Sequence, residues 1–253
     1  MNVRTQMVKP IKAWVKRNLL LTRLNSEWHF IRGVPKKDLW KLGKINLFLK
    51  IKPYTMLTYP RLLTLFELGT ILNRDRVKGC FAEFGVCRGG SAAVLHTVAN
   101  RHPKRHVWLF DSWQGLPDAS ALDETASGET FPKGALSAPE TIAKGLLYKT
   151  LRFPAGRGHF VKGWFHETIP SHKKAMGDIA LLHLDGDYYE SIKICLEELY
   201  DQVVPDGYVV IDDYCYWKGC KKAVDEFMLR RGIKHELRPT DNTGIHFRKR
   251  EFA

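Results

Sequence analysis

Between Leu181 and Asp213 two apolar runs each stop at a pair of carboxylates. The first reads LLHLDGDYYES and ends in Asp185 and Asp187; the second reads GYVVIDDY and ends in Asp212 and Asp213. A helix-like stretch from about Tyr189 to Gln202 joins them. Two strands connected through one helix lie parallel in one sheet. Their ends then point the same way, and four acids arrive at one sheet edge.

The same alternation runs through most of the chain. A helical pattern over residues 53–77 precedes the apolar segment CFAEFG at 80–85 and the turn VCRGGS. A helix is expected from about Ser91 to Asn100, then a strand HVWLFD at 106–111 that again stops at an acid. Residues 112–135 are polar and rich in Gly, Pro, Ser and Asp, too long for an idle connection, and read as a lid or binding loop. A helix from Leu136 to Tyr148, a weaker strand GHFVKG, a helix near Gly219 to Arg231 and two short strands, KHELR and GIHFRK, complete the pattern. Strands alternating with helices predict an α/β fold, a doubly wound, mostly parallel sheet of about seven strands with helices on both faces.

Charge divides the chain. Residues 1–52 hold 13 Lys and Arg against Glu27 and Asp38, whereas the remainder holds 27 bases against 25 acids. The basic character belongs to an N-terminal extension, and a nucleic-acid groove across the body is excluded. Two parts are expected, 1–52 as a basic helical extension and 53–253 as the α/β body. Trp14, Leu19, Leu20 and Leu21 lie among Lys12, Lys16, Arg17 and Arg23, followed by Trp28, Phe30, Trp40 and Phe48. Such amphipathic segments pack on the body or a second subunit, or make weak contact with an anionic membrane surface. No apolar run approaches the roughly 20 residues that span a bilayer, and bases interrupt the N-terminus too early for a secretory signal. Five cysteines without paired spacing predict a reduced cytoplasmic protein.

In an open α/β sheet, ligands bind beyond the carboxyl ends of the strands. The loop E-F-G-V-C-R-G-G-S permits a tight turn and close backbone approach at a helix N-terminus. Asp111 follows Gly85 by 26 positions, the place of an acid that accepts from ribose hydroxyls. Together they point to a nucleoside-bearing cofactor, without separating a nicotinamide from S-adenosylmethionine. Hydride transfer needs no carboxylate cluster, whereas metal-assisted transfer to a hydroxyl does. Asp185, Asp212 and Asp213 offer hard oxygen ligands for Mg²⁺ or another divalent cation. Asp187 and Asp213 also suit helix N-caps. Successive strand residues face opposite ways, so Asp212 and Asp213 share an ion only if the strand has already ended. The Asp185-Gly186-Asp187 spacing alternatively looks like the D-x-D of a metal-dependent glycosyltransferase.

From about Tyr54 to Lys249 the chain resembles the TylF/macrocin O-methyltransferase family of S-adenosylmethionine-dependent sugar O-methyltransferases. The resemblance is carried by TML at Thr55–Leu57 with Arg61-Leu62, EFGVCRGGS at Glu83–Ser91, DSWQGLP at Asp111–Pro117, KGWFHETIP at Lys162–Pro170, LDGDYYES at Leu184–Ser191 and DGYVVIDDY at Asp206–Tyr214. It implies a Rossmann-like body of the class I methyltransferase type. It implies that Glu83, Gly85, Gly89 and Ser91 hold the methionine part of the cofactor. Asp111 takes the ribose with Ser112 and Gly115 close by, Gly163 and Trp164 approach the adenine, and Thr55 and Met56 close over it. Asp185, Asp212 and Asp213 match the family's metal-binding acids, and Asp185 or Asp187 accepts the hydroxyl proton. His183 stands where an arginine is expected and Cys87 where a tryptophan is frequent; His183 reads as a core histidine. The acceptor expected is a sugar hydroxyl of a glycosylated natural product or surface glycan, and the expected assembly is a homo-oligomer.

Overall fold

The computed structural model describes Phe30 and residues 34–250. The expectations for Trp14, Leu19, Leu20, Leu21 and Trp28 lie outside the described residues. The chain divides into two compact units, one up to Pro53 and one from Tyr54. In the first, a helical turn at Lys36–Asp38 leads to α1 (Leu42–Ile51). Asp38 is buried and pairs with Lys41 at 2.6 Å.

The second unit opens with α2 (Tyr59–Arg74), then β1 (Cys80–Phe84), α3 (Gly90–Ala99) and β2 (Val107–Asp111). Next come α4 (Glu140–Lys144), which runs on as a wider-wound turn to Thr150, then β3 (Gly158–Lys162), α5 (Phe165–Met176) and β4 (Ile179–Leu184). The chain closes through α6 (Tyr189–Leu199), β5 (Val203–Ile211), α7 (Lys218–Arg230), β6 (Arg238–Pro239) and β7 (Ile245–Arg248). The sheet order is β3-β2-β1-β4-β5-β7-β6, with β1 to β5 parallel and the last two antiparallel. This is the expected seven-stranded Rossmann-like sheet. The order reverses between β1 and β4, where a ligand crevice forms.

Burial follows from strand alternation. Ala82 and Phe84 of β1 pack with Leu182, Leu184, Val209 and Ile211 beneath α5, α6 and α7, through Ile169, Ile192, Leu196 and Phe227. Phe81 points the other way, toward Gly69 of α2. Each of the valine, leucine, isoleucine and phenylalanine side chains contributes ~1.5–3 kcal/mol on burial. Glu83 shares the Phe81 face and stands opposite His183 in register. The strand expected at KHELR is reduced to Arg238–Pro239 at the sheet edge, where a proline, having no N–H to give, is tolerated. All five cysteines are free. Among the described residues no helix is long and apolar enough to cross a membrane.

Candidate active site

A cavity of about 990 Å³ opens at the carboxyl edge of the sheet. That is room for a nucleoside cofactor beside a second ligand, since small-molecule sites span ~300–1,000 Å³. Gly85, Asp111, Ser112, Gly115, Trp164, Asp185, Asp187, Asp212 and Asp213 all wall it, as does Met56. The ends of β1, β2, β4 and β5 and the turn after β3 thus meet in one place.

On one side the wall is built from backbone. Gly85 sits at φ 99°, and a Cβ there would lie 1.9 Å from the Asp185 carbonyl oxygen. Only glycine lets the ends of β1 and β4 approach this closely. Asp111 Oδ2 accepts from the Val86 and Cys87 N–H groups, both at 2.7 Å, and Oδ1 accepts from the Trp113 N–H at 2.5 Å. The carboxylate therefore braces the glycine loop and leaves Oδ1 with a single donor, able to accept one more. Trp113 closes the brace, donating from Nε1 to the Cys87 carbonyl at 3.1 Å.

Five of the expected cofactor residues stand behind this wall. Thr55 lies against Gly90 at the start of α3 and accepts from the Leu57 N–H at 3.1 Å. Gly89 caps α3 against Ala143, and Ser91 is buried within the helix. Gly163 ties β3 to β2 by donating to the Asp111 carbonyl at 3.0 Å. Glu83 is fully buried; its Oε1 accepts from His183 Nδ1 at 3.1 Å, and its Oε2 has no partner. The cause is the pleat: Glu83 faces the α2 side and its cross-strand neighbour is His183.

On the other side the wall is charged. Oxygens of Asp185, Asp187 and Asp213 lie within 4.8 Å of one another. The trio differs in one member from the expected Asp185, Asp212 and Asp213. β5 ends at Ile211, so both later acids are free of the strand. Asp212 is instead taken by the Arg61 guanidinium, with Asp213 at 3.4 Å and Asp241 at 2.9 Å from the same side chain. Asp187, at φ 59°, turns its carboxylate back toward Asp185, where Trp217 Nε1 donates to it at 2.7 Å. His183 Nε2 lies 3.9 Å from Asp212, an ionic approach rather than a hydrogen bond.

The electrostatics follow. The three carboxylates are enclosed by protein while each residue keeps an edge on the cavity. Burial, then Asp212, Asp213 and Asp187, push the Asp185 carboxyl well above the usual range. Burial, then Asp212 and Asp187, raise Asp213, with Arg61 opposing. Burial raises Asp187 against the indole hydrogen bond. His183 is held up to about 9: burial lowers it, but Asp212 and Glu83 prevail. Burial would raise Asp241 too, yet the Gly244 and Thr243 N–H groups, the Thr58 hydroxyl and Arg61 bring it down to about 2. Six carboxyls (Glu83, Asp185, Asp187, Asp212, Asp213 and Asp241) crowd around one guanidinium and one imidazole, so Asp185 and Asp213 hold their protons more tightly than usual, and an all-oxygen donor set suits a hard divalent cation.

Sequence reasoning did not assign Arg61, Trp217 or Asp241 a role at the site. Arg61 was visible inside a family motif, and the Asp241-Asn242-Thr243-Gly244 run is a turn signature. Nothing local in the sequence marks Trp217. The stretch expected to form a lid, 112–135, walls the cavity only near its two ends, with Ser112, Gly115 to Asp118, Phe131 and Lys133.

The sequence profile of the macrocin O-methyltransferase (TylF) family matches residues 49–249. This chain belongs to the macrocin O-methyltransferase family. It is an O-methyltransferase with S-adenosylmethionine as methyl donor, and the glycosyltransferase reading of Asp185-Gly186-Asp187 is set aside. Among relatives of this TylF-family chain is the 8-demethyl-8-(2,3-dimethoxy-alpha-L-rhamnosyl)-tetracenomycin-C 4'-O-methyltransferase of Streptomyces olivaceus, 33% identical over 206 residues, covering 77% of this chain and 75% of the relative. The mycinamicin III 3''-O-methyltransferase of Micromonospora griseorubida is 31% identical over 209 residues, with 78% of each covered. The solved structure of the O-methyltransferase NovP superposes with a TM-score of 0.70 at 28% identity, over 78% of this chain and 83% of NovP. The calicheamicin methyltransferase CalS11, at 20% identity and a TM-score of 0.64 over 89% and 91%, shares the fold.

Proposed function

We propose that this TylF-family enzyme methylates a sugar hydroxyl of a small-molecule glycoside, with Mg²⁺ or a similar cation held by Asp185, Asp187 and Asp213. The observation that carries the reading is that this acid trio and Asp111 wall one cavity. The relatives named above are sugar or natural-product O-methyltransferases by name, which supports the acceptor class.

When bound, the cation lowers the pKa of an acceptor hydroxyl. The chain's own residues do the rest. The braced glycine loop and Asp111 orient the donor, and Trp164 bounds the cavity on the β3 side. Asp187, held at Oδ1 by the Trp217 indole, would offer the cation its other oxygen, and Asp185 takes the hydroxyl proton. The acceptor oxygen displaces the thioether sulfur in line: the C–S bond breaks, a C–O bond forms, and the sulfonium charge disappears. Holding methyl and oxygen in attack geometry removes much of the entropic barrier. Arg61 binds Asp212 and Asp241 and keeps them out of the proton's path. A methyl-transfer screen over sugar-bearing acceptors, with and without Mg²⁺ and read by mass, tests this. Transfer only to non-sugar acceptors, or transfer unchanged by a chelator, overturns it.

We also propose that the unit ending at Pro53 meets an anionic lipid surface. Leu39, Trp40 and Leu42 are exposed within four residues, Trp40 at 75%. Between Val34 and Pro53 six lysines stand against Asp38 alone. Exposed tryptophan and leucine among lysines suits a headgroup boundary. Salt-sensitive co-sedimentation with anionic vesicles, lost in Trp40→Ser, is the expected result; no co-sedimentation at low salt sinks the idea.

A further inference from the structure

The stretch from 119 to 130 is not a free flap. Its middle is fastened to the elements that carry the acids. Asp123 is 3% exposed. Its Oδ2 accepts from the Ser120 N–H at 2.9 Å and the Ser120 hydroxyl at 2.6 Å. Its Oδ1 accepts from the Tyr189 N–H at 2.7 Å. Tyr189 is the first residue of α6 and lies two positions past Asp187. The N-cap residue Tyr188 offers α6 no side-chain acceptor. Asp123, 66 positions earlier in sequence, supplies the cap from outside, where a carboxylate also meets the positive end of the helix dipole.

The next three residues hold the other support of Asp187. Thr125 bridges Trp217, the Ala126 N–H donates to the Tyr216 carbonyl at 2.8 Å, and the Lys218 N–H donates to the Glu124 carbonyl at 2.9 Å. Lys218 Nζ also pairs with Glu124 at 2.7 Å. Trp217 is the residue whose indole fixes Asp187. Gly219 completes the fit, since a Cβ there would lie 2.3 Å from Asp123 Oδ1. Both groups that aim Asp187, the backbone entering α6 and the Trp217 ring, are thus held by residues 123–126.

We propose that Asp123 is a positioning residue: it caps α6 in trans and locks the 119–130 stretch as a strut, so that Asp187 stays within reach of Asp185 and Asp213. The inference rests on the reading of those three acids as a cation site. Supports behind metal ligands are worth about 10–100-fold in affinity when removed. Asp123 is not among the residues that wall the cavity, so its loss is expected to leave the cofactor half intact.

The test uses Mn²⁺ alone, titrated into the full chain and followed by electron paramagnetic resonance, with S-adenosylhomocysteine affinity measured by calorimetry. Asp123→Ala is expected to weaken Mn²⁺ binding about tenfold and to speed amide exchange at Tyr189, with S-adenosylhomocysteine affinity unchanged. Asp123→Asn, which still accepts from the Tyr189 N–H, restores most of the Mn²⁺ affinity. Ser120→Ala, which leaves the α6 cap in place, binds Mn²⁺ as the parent does. Should Asp123→Ala fail to fold, Gly219→Ala displaces the carboxylate sterically and is expected to give the same split. Unchanged Mn²⁺ affinity in both variants, or parallel loss of Mn²⁺ and S-adenosylhomocysteine binding, overturns the proposal. A parent protein that binds no Mn²⁺ overturns the cation site itself, and the strut with it. Parent and Asp187→Asn binding Mn²⁺ equally overturns Asp187's place in the site.

Discussion

The two halves of the cavity are made in opposite ways. The half at β1, β2 and β3 is built from backbone: Asp111 spends its acceptors on three N–H groups of the protein. The half at β4 and β5 is built from side chains that repel one another, with Arg61 and His183 as its cationic partners among the described residues. The first half is satisfied before any ligand arrives. In the second, crowded carboxyls are held above their usual range, a condition the proposed cation would relieve. On the proposed reading one half binds the donor and the other does the chemistry, and single substitutions separate the two.

The largest separation is expected from Asp185→Asn. Turnover should fall about 10²–10⁴-fold, the usual range for losing a proton-transfer or ligand carboxylate, while calorimetry shows S-adenosylhomocysteine binding near the parent value. Equal loss of both would erase the distinction between halves. Removing divalent cations with a chelator should silence methyl transfer in the same way, and Mg²⁺ should restore it.

Arg61→Gln comes next. It leaves Asp212 and Asp241 without their shared cation, and breaking a buried pair typically costs ~3–5 kcal/mol. Urea unfolding should register most of that, and Mg²⁺ should recover part of it. Stability equal to the parent would mean that Arg61 is not balancing the acids. Asp111→Asn should act on the other half. It turns one acceptor of the brace into a donor facing an N–H, costing ~1–3 kcal/mol. The expected readout is weaker S-adenosylhomocysteine binding with Mn²⁺ affinity unchanged.

The smallest effect concerns pH and the helix α3 behind the glycine loop. His96 is buried against Phe153, and burial, then Arg157, lower it to about 4 from an ordinary 6.5. Unfolded chains take up its proton below about pH 6.5, whereas the folded state does so only near 4. Stability from this residue is therefore present at neutral pH and lost as pH falls through that window, by at most ~3 kcal/mol. Melting curves of His96→Gln should be flatter between pH 7 and 4 than those of the parent.

Much of this was legible in the chain. The run from Leu181 to Asp213 predicts two parallel strands ending in acids, and β4 and β5 are those strands. Apolar period and glycine placement are local properties, and a strand that stops at an acid exposes that acid wherever the sheet is packed. The exceptions share a cause. Glu83 has the spacing of a cofactor residue, but the pleat turns it inward to His183. Thr55 and Gly163 shape neighbouring backbone rather than the cavity wall. Residues 112–135 have a lid's composition, yet Asp123 and Thr125 fasten them down.

The sequence by itself determined the strand order's raw material, the sheet edge that carries the site, and the residue types present there. Tertiary structure alone decided which carboxylates face one another. Asp212 and Asp213 are neighbours in the chain and both reach Arg61, yet Asp213 joins Asp185 and Asp187 while Asp212 turns toward His183. Asp123 and Tyr189 are far apart in the chain and share a hydrogen bond. Periodicity sets a face, whereas the partner on that face is set by packing between elements distant in sequence.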